Sequence, residues 1–115
     1  MDPVSWGPAY WEVLHKSALK NTAGFKDLVN LFPSILPCPE CSKHFYEIIT
    51  MYPPTDDYFK WTVDVHNMVN SKLGKRHVTY EEAYRHCIRP RFKVNILLIL
   101  VFIVILYGLY RFING

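Results

Sequence analysis

A long apolar run near the end of the chain limits its architecture more than any other feature. Residues 96–107 carry no charge, and the stretch from 94 to 113 has 20 residues with one charge, Arg111. A helix needs about 20 apolar residues to cross the ~30 Å core of a bilayer. A core helix that is apolar on all sides needs a larger protein around it than 93 preceding residues provide. The sequence predicts a small domain in residues 1–93 and a transmembrane helix in residues 94–113.

The charge pattern indicates how this chain is oriented in a membrane. The net charge of +3 is too small to indicate a nucleic-acid partner. Lysine and arginine beside a span mark its cytoplasmic side. The basic residues before the predicted span are Arg85, Arg89, Arg91 and Lys93. Residues 1–14 lack the apolar run of a signal peptide. We therefore expect a single-pass C-terminal membrane anchor with the domain in the cytosol.

Apolar residues recur at helical spacing along the domain, and no segment alternates as a strand does. The predicted helices run from Trp6-Gly7-Pro8 to about 21, over 25–32, over 39–51, from a cap at Thr55 or Asp56 to Leu73, and from a cap at Thr79 through Cys87, with Pro90 interrupting before the membrane. Thr79 and Glu82 have the spacing of a capping box. The expected fold class is all-α, a bundle of four to five helices with short connections.

The sequence Cys38-Pro39-Glu40-Cys41 combines two thiols with a helix start signal. Proline is favoured at the first position of a helix, which makes Cys38 the N-cap and places Cys41 one turn in. The partial positive charge of a helix N-terminus favours a thiolate over a thiol. The pattern therefore predicts a redox pair that opens and closes a disulfide. The chain has one further cysteine, Cys87, and an odd total does not fit a disulfide scaffold.

Zinc binding is the main alternative for a C-x-x-C pair. A closed structural zinc site needs four ligands, commonly two such pairs or a set of cysteines and histidines. The candidates here are Cys38, Cys41, His44 and one other histidine. We therefore expect no metal.

Two helical segments carry aromatic and polar side chains on one face. Trp11 and His15 are four residues apart, and a later segment places His66 and Asn70 at the same spacing. Imidazoles and amides can bind a planar heteroaromatic ligand, and Lys72, Lys75 and Arg76 can meet phosphates. Taken singly, each residue has an ordinary explanation, because tryptophan is usually core and asparagine is usually solvated.

In combination these patterns are far more specific. They read Trp6-Gly7-x3-Trp11-x3-His15, then Pro37-Cys38-x2-Cys41-x2-His44-Phe45, then Trp61-x4-His66-Asn67-x-Val69-Asn70-x2-Leu73-x-Lys75. Their order and spacing over about residues 5–76 resemble the Erv/ALR family of sulfhydryl oxidases. The short form is most similar to the compact members found in large cytoplasmic DNA viruses.

The resemblance implies a helical bundle that encloses FAD, forms homodimers and passes electrons from protein dithiols to O2, giving H2O2. It implies that Cys41 is the sulfur next to the flavin and that Cys38 exchanges with the substrate. The residues matching cofactor-binding positions are Trp6, Gly7, Trp11, His15, His44, His66, Asn67, Val69, Asn70, Leu73 and Lys75. We expect His66 and the aromatic residues of the first helix near the adenine, Asn67 and Asn70 hydrogen-bonded to cofactor edges, and Lys75 towards the phosphates.

The chain lacks the second, distal cysteine pair that larger family members often carry. Substrate dithiols therefore reach Cys38 directly, or a relay protein supplies the dithiol. Cys87 has three open readings: an intersubunit disulfide, a mixed disulfide with a partner, or no role. Two other functions stay open for the chain, a cofactor-free thiol–disulfide carrier and a membrane adaptor without enzymatic activity. By resemblance, the oxidase belongs to a cytosolic viral disulfide pathway, in the host cytoplasm or at a virion membrane.

Overall fold

The computed structural model describes residues 2–89 and 95–115, and every regular element in these ranges is an α-helix. The elements are α1 (Pro3–Lys20), α2 (Gly24–Ile35), α3 (Pro39–Met51), α4 (Tyr58–Leu73), α5 (Tyr80–Ile88) and α6 (Ile96–Asn114). The prediction of an all-α bundle with a separate apolar C-terminal helix is confirmed. Pro90, Arg91, Lys93 and the proposed boundary at 93/94 lie outside the described residues.

The core of the domain lies between two packed helix pairs. Helix α1 packs on α4, α2 packs on α3, and α5 lies against both α1 and α4. The buried side chains that form the core are Leu14, Ala18, Phe25, Val29, Phe32, Phe45, Ile48, Ile49, Trp61 and Val65. The indole of Trp61 also donates to the carbonyl of Tyr52 at 2.8 Å, which satisfies its polar atom. Burial of one apolar stripe from each of α1 to α4 therefore holds the domain together.

Helix α1 begins earlier than the sequence predicted. The expected start near Trp6–Pro8 is wrong, because the Asp2 carboxylate caps the helix by accepting the Val4 N–H at 3.0 Å. Pro3 then occupies the first helical turn, where a missing N–H is tolerated. Pro8 lies inside the helix. The stronger start signal at Asp2-Pro3 outweighs the hydrogen bond that Pro8 cannot make.

Two other helix ends also differ from the predicted ones. Helix α4 is capped by Asp57, whose carboxylate accepts the Lys60 N–H at 3.0 Å, rather than by Thr55 or Asp56. Helix α2 continues to Ile35, through Pro33. The predicted cap of α5 is confirmed, since the Thr79 hydroxyl accepts the Glu82 N–H at 3.1 Å. The differences are small because several residues near each end are able to cap a helix.

Helix α6 has the length and composition of a membrane span. It has 19 residues, an 18-residue stretch of it has a mean hydropathy of 2.7, and none of its side chains is buried against the rest of the described chain. Asn95 caps it by accepting the Leu97 N–H at 3.1 Å. Among the described residues it is the one helix that meets both criteria. The apolar surface of α6 is therefore not covered by the part of the domain that the structure describes.

Candidate active site

A cavity of about 590 Å³ opens between helices α1, α3, α4 and α5. This is within the usual range for small-molecule sites, roughly 300–1,000 Å³. The residues from the sequence prediction that line it are Trp6, Gly7, Trp11, His15, Cys41, His44, His66, Val69, Asn70, Leu73 and Lys75. Two others, Cys38 and Asn67, are not part of its wall. Residues far apart in the sequence are thus brought together around one space.

The C-x-x-C pair lies at one end of this cavity, at the start of α3. Cys38 and Cys41 are joined by a disulfide, with a Cα–Cα distance of 5.2 Å. Cys38 is the N-cap of α3, as the sequence predicted, and its sulfur accepts the Cys41 N–H at 3.2 Å. Cys41 is the member of the pair that reaches the cavity wall. The two sulfurs therefore differ in what they can contact.

Stacked rings form another part of the cavity wall. Trp11 lies on His66 with 4.0 Å between ring centroids and 10° between planes. Trp11 also stacks on His15, with 5.8 Å between centroids, and meets Phe45 edge to face. The packing of α1 on α4 thus produces a flat aromatic wall. Such a wall suits the ring of a planar heterocycle.

His15 is buried, and both of its ring nitrogens have partners. Nδ1 lies 2.9 Å from the Thr62 hydroxyl, and Nε2 lies 3.0 Å from Nδ1 of His66. Burial lowers the pKa of His15 to about 4, with a smaller contribution from His86. Burial also lowers the pKa of His66 to about 4, assisted by His15 and Lys75. Both rings are therefore neutral at pH 7, and both can accept as well as donate hydrogen bonds.

Asn67 holds the segment that follows α4 rather than lining the cavity. Its Nδ2 donates to the Val78 carbonyl at 2.8 Å, and its Oδ1 accepts the Val78 N–H at 2.7 Å. This pair of bonds joins α4 to the connection that carries Lys75 into the cavity wall. The amide therefore acts on the protein's own backbone here, and its predicted contact with a cofactor stays a prediction.

Three features of the wall are not explained by contacts among the described residues. Asn70 is buried, and its amide has no hydrogen bond to any described residue. The buried Nε1 of Trp6 likewise lacks an acceptor in these ranges. A Cβ added to Gly7, inside α1, would meet no atom within 4 Å, so packing does not require the glycine. Two unpaired polar groups and an open glycine surface are what a bound ligand would use.

The cationic end of the cavity contains Lys72, Lys75 and Arg76. The Arg76 guanidinium binds the Glu82 carboxylate through two hydrogen bonds of 3.2 and 2.9 Å. Glu82 raises the pKa of Arg76, and Arg76 in turn lowers the pKa of Glu82. Burial lowers the pKa of His44, and the nearby charge of Lys72 lowers it further. This end of the site can bind anionic groups such as phosphates.

The sequence profile of the Erv1/Alr family matches residues 8–89. The match spans well over half of the chain and includes the disulfide and most of the cavity wall, with Trp6 and Gly7 just before it. The chain belongs to the Erv1/Alr family. The resemblance that the cysteine, histidine and tryptophan patterns indicated is thereby confirmed.

Several relatives of this Erv1/Alr chain are viral. A probable FAD-linked sulfhydryl oxidase of Acanthamoeba polyphaga mimivirus is 32% identical over 98 residues, covering 72% of this chain and 68% of its own length. An FAD-linked sulfhydryl oxidase of African swine fever virus is 33% identical over 92 residues, covering 69% and 76%. A plant relative, the FAD-linked sulfhydryl oxidase ERV1 of Arabidopsis thaliana, is 32% identical over 81 residues, covering 60% and 42%.

Solved structures of the family have the same fold. Erv1 from Saccharomyces cerevisiae, crystallised as a double cysteine-to-serine mutant, superimposes with a TM-score of 0.68 at 25% identity. The yeast Erv1 core superimposes with a TM-score of 0.66 at 26% identity. In both cases the match covers 76% of this chain and 85% of the solved chain.

Helix α5 contributes cavity residues that the sequence patterns did not reveal. They are Glu82, Ala83 and His86, and Val78 joins them from the preceding connection. Glu82 stood out only as part of a capping box, and no spacing rule related His86 to residues of α1. Cys87, on the same helix, is a free cysteine, and burial raises the pKa of its thiol. A raised pKa leaves less of the reactive thiolate at neutral pH.

Proposed function

We propose that this chain oxidises dithiols of partner proteins to disulfides through Cys38 and Cys41, with O2 as the final electron acceptor and H2O2 as the product. As a member of the Erv1/Alr family it is an FAD-linked sulfhydryl oxidase. The observation that carries the proposal is the disulfide at the N-terminus of α3, with Cys41 on the wall of an aromatic and histidine-lined cavity. A dithiol relay protein is a further candidate substrate.

The placement of the two sulfurs supports different roles for them. A substrate thiolate attacks Cys38 Sγ, the Cys38–Cys41 bond breaks, and Cys41 leaves as a thiolate on the cavity side. The second substrate thiol then loses its proton, attacks the substrate sulfur of the mixed disulfide and displaces Cys38 as a thiolate. The Cys41 N–H at 3.2 Å and the N-terminus of α3 stabilise that leaving thiolate. The substrate gains a disulfide, and two electrons remain on the cysteine pair.

The residues of the cavity fit FAD. Trp11 and His66 offer a flat wall, Asn70 and the Trp6 indole offer polar groups without partners, and Gly7 lets a ring approach the helix backbone. The lysine and arginine side chains in the wall, Lys72, Lys75 and Arg76, suit the pyrophosphate. FAD supplies, when bound, the two-electron acceptor that restores the Cys38–Cys41 disulfide and the chemistry that converts O2 to H2O2.

The activity can be tested on the full chain purified in detergent micelles. The protein should be yellow, with a flavin absorbance spectrum, and should release peroxide when dithiothreitol is added. Cys41→Ser should abolish peroxide release, and Cys87→Ser serves as the matched control that keeps it. Colourless protein after purification with added FAD would contradict the proposal. Bound flavin without any dithiol oxidation would show an FAD-binding protein that lacks oxidase activity. Dithiol exchange without flavin would favour a cofactor-free carrier.

The separate roles of the two sulfurs can be tested by trapping. Cys41→Ser leaves Cys38 as a single thiol that can attack a small protein whose one cysteine carries 5-thio-2-nitrobenzoate in a disulfide. Cys38 then bonds to the protein sulfur, thionitrobenzoate leaves with the electron pair, and the probe has no second thiol to resolve the adduct. We expect this adduct, detected by mass spectrometry, to form at a much higher yield in Cys41→Ser than in Cys38→Ser. An equal or larger yield from Cys38→Ser would reverse the assignment, because it would show that Cys41 is the sulfur that substrates reach.

We further propose that α6 anchors the chain in a membrane with residues 1–90 on the cytosolic side, at a host membrane or a virion membrane. The supporting observations are the hydropathy of Ile96–Asn114 and the basic residues Arg85 and Arg89 before it. Protease added outside sealed vesicles with the cytosolic face outward should cleave the domain, and full protection would reverse the proposed orientation.

We also propose that the chain forms a homodimer, on the basis of the family resemblance. Light scattering of the protein–detergent complex should give a protein mass equal to two chains, and the mass of a single chain would contradict the homodimer.

A further inference from the structure

A chain of hydrogen bonds runs from the backbone of α4 to the aromatic wall of the cavity. It joins the Phe59 carbonyl to the Thr62 hydroxyl at 2.7 Å, and that hydroxyl to His15 Nδ1 at 2.9 Å. The chain continues from His15 Nε2 to His66 Nδ1 at 3.0 Å. Thr62 is fully buried and lies outside the cavity wall, so it touches no ligand there. The family pattern noted above does not include it.

The direction of every bond in this chain follows from its first member. A carbonyl only accepts, so the single proton of the Thr62 hydroxyl goes to Phe59. The Thr62 oxygen must then accept from His15, which makes Nδ1 of His15 the protonated nitrogen. A neutral imidazole carries one N–H, so Nε2 of His15 accepts and Nδ1 of His66 donates. The low pKa of both histidines excludes the doubly protonated form at pH 7.

We propose that Thr62 is a positioning residue that, through His15, fixes His66 as the Nδ1–H tautomer, so that its Nε2 is presented as a hydrogen-bond acceptor. His66 lines the cavity and stacks on Trp11 at 4.0 Å, and its Nε2 has no partner in the described ranges. The group that binds there must be a donor, such as an amino or hydroxyl group of the cofactor. This inference rests on the proposed FAD site for its ligand, and on the hydrogen-bond geometry together with the neutral state of both rings for the tautomer.

The orientation matters because the two tautomers of His66 offer opposite chemistry to a ligand. With Nδ1 protonated, Nε2 accepts from an amine or hydroxyl. With Nε2 protonated, the same position would repel those donors and would leave two unprotonated nitrogens facing each other across 3.0 Å at His15. Thr62 prevents this from inside the protein, since its hydroxyl has no proton left to donate to His15. A threonine 47 residues from His15 in sequence thus selects the ligand chemistry.

The tautomers can be observed directly by nitrogen NMR of the full chain in micelles at pH 7.5, with ¹⁵N-labelled histidine. Protonated and unprotonated ring nitrogens have well-separated chemical shifts, and His15→Gln and His66→Gln variants assign the signals. We expect Nδ1–H for both rings, whereas histidine in water favours Nε2–H. An Nε2–H form of either ring would overturn the proposal. This result does not depend on whether the protein binds FAD.

A pair of variants separates positioning from simple packing. Thr62→Val keeps the shape of the side chain but removes the hydroxyl that accepts from His15, whereas Thr62→Ser keeps the hydroxyl and removes only the methyl group. We expect FAD affinity, measured by flavin fluorescence on chain stripped of cofactor, to fall about tenfold in Thr62→Val, because His15 is then no longer held as Nδ1–H and His66 Nε2 is no longer fixed as the acceptor for the cofactor. Thr62→Ser should bind as the wild type does, with both histidines still in the Nδ1–H form.

Two results of the variant experiment would overturn the proposal. One is an unchanged FAD affinity in Thr62→Val, and the other is an equal loss in Thr62→Ser. If Thr62→Val does not fold, the tautomers of the wild type and of Thr62→Ser decide the question. Absence of FAD binding by the wild type would instead contradict the proposed function, while the NMR result would still test the hydrogen-bond chain.

Discussion

Acid should destabilise this domain well above the pH at which carboxylates are protonated, because two buried histidines are held neutral. Burial lowers the pKa of His15 and of His66 from 6.5 to about 4, and His86 and Lys75 add to the effect. The unfolded chain takes up a proton at each ring near pH 6.5, whereas the folded chain does so only near pH 4. Stability is therefore fully present above pH 6.5 and is lost as the pH falls towards 4.

The size of the effect follows from the two pKa values. At pH 5, protonation stabilises the unfolded form of each histidine by about 2 kcal/mol, while the folded form gains almost nothing. For both rings the free energy of unfolding should fall by about 4 kcal/mol between pH 7.5 and pH 5, with half that value as a lower bound because the two rings are coupled. Native domains have only about 5–15 kcal/mol of stability, so the loss should be easy to measure.

Urea unfolding of the full chain in micelles, at a fixed excess of FAD and followed by tryptophan fluorescence, measures this change. The control is His66→Gln, which removes one titrating ring and should reduce the difference between the two pH values by about half. The Glu82–Arg76 pair also loses stability in acid, but Glu82 has a lowered pKa and titrates below this range. Equal free energies of unfolding at pH 7.5 and pH 5, or a higher value at pH 5, would refute the reasoning.

Two further predictions concern residues beside the site. Gly7→Ala should leave the melting temperature unchanged or raise it, because alanine favours a helix by roughly 0.5–1 kcal/mol and its Cβ meets no protein atom within 4 Å. The FAD affinity of Gly7→Ala, measured by fluorescence titration, should nevertheless fall, while the control Ala9→Gly should bind FAD as the wild type does. Unchanged affinity in Gly7→Ala, or a loss of affinity in Ala9→Gly, would contradict a ligand at this surface. Asn67→Ala should cost about 1–3 kcal/mol and speed hydrogen exchange in residues 74–79, where Asn67 binds Val78. Asn30→Ala, at an exposed position, is the control. Slow exchange in both variants would show that the two hydrogen bonds between Asn67 and Val78 are not needed to hold this segment.

Local features of the site were readable from the sequence because they depend on neighbouring residues. The cap at Cys38, Pro39 in the first turn and Cys41 one turn later are set by helix geometry within four residues. Helical spacing likewise placed Trp11 and His15 on one face of α1. The start of α1 was misplaced because both Pro3 and Pro8 are compatible with a helix N-terminus, and the Asp2 cap decided between them.

The contacts that complete the site depend on packing between distant segments. His15 and His66 are 51 residues apart, and only the packing of α1 on α4 brings their nitrogens within 3.0 Å. The same holds for Thr62, which sequence spacing does not relate to His15, and for α5, which adds Glu82 and His86 to the wall.

By itself, the sequence determined the redox pair, the all-α composition, the apolar helix and the family. Each of these depends on residue type and short-range spacing, and short-range spacing is fixed by the geometry of one helix. The tertiary structure decided which sulfur reaches the cavity, that Asn67 binds Val78, and which way the protons lie along Thr62, His15 and His66. These depend on distances between helices, which follow from how the core packs and which no pattern along a single helix contains.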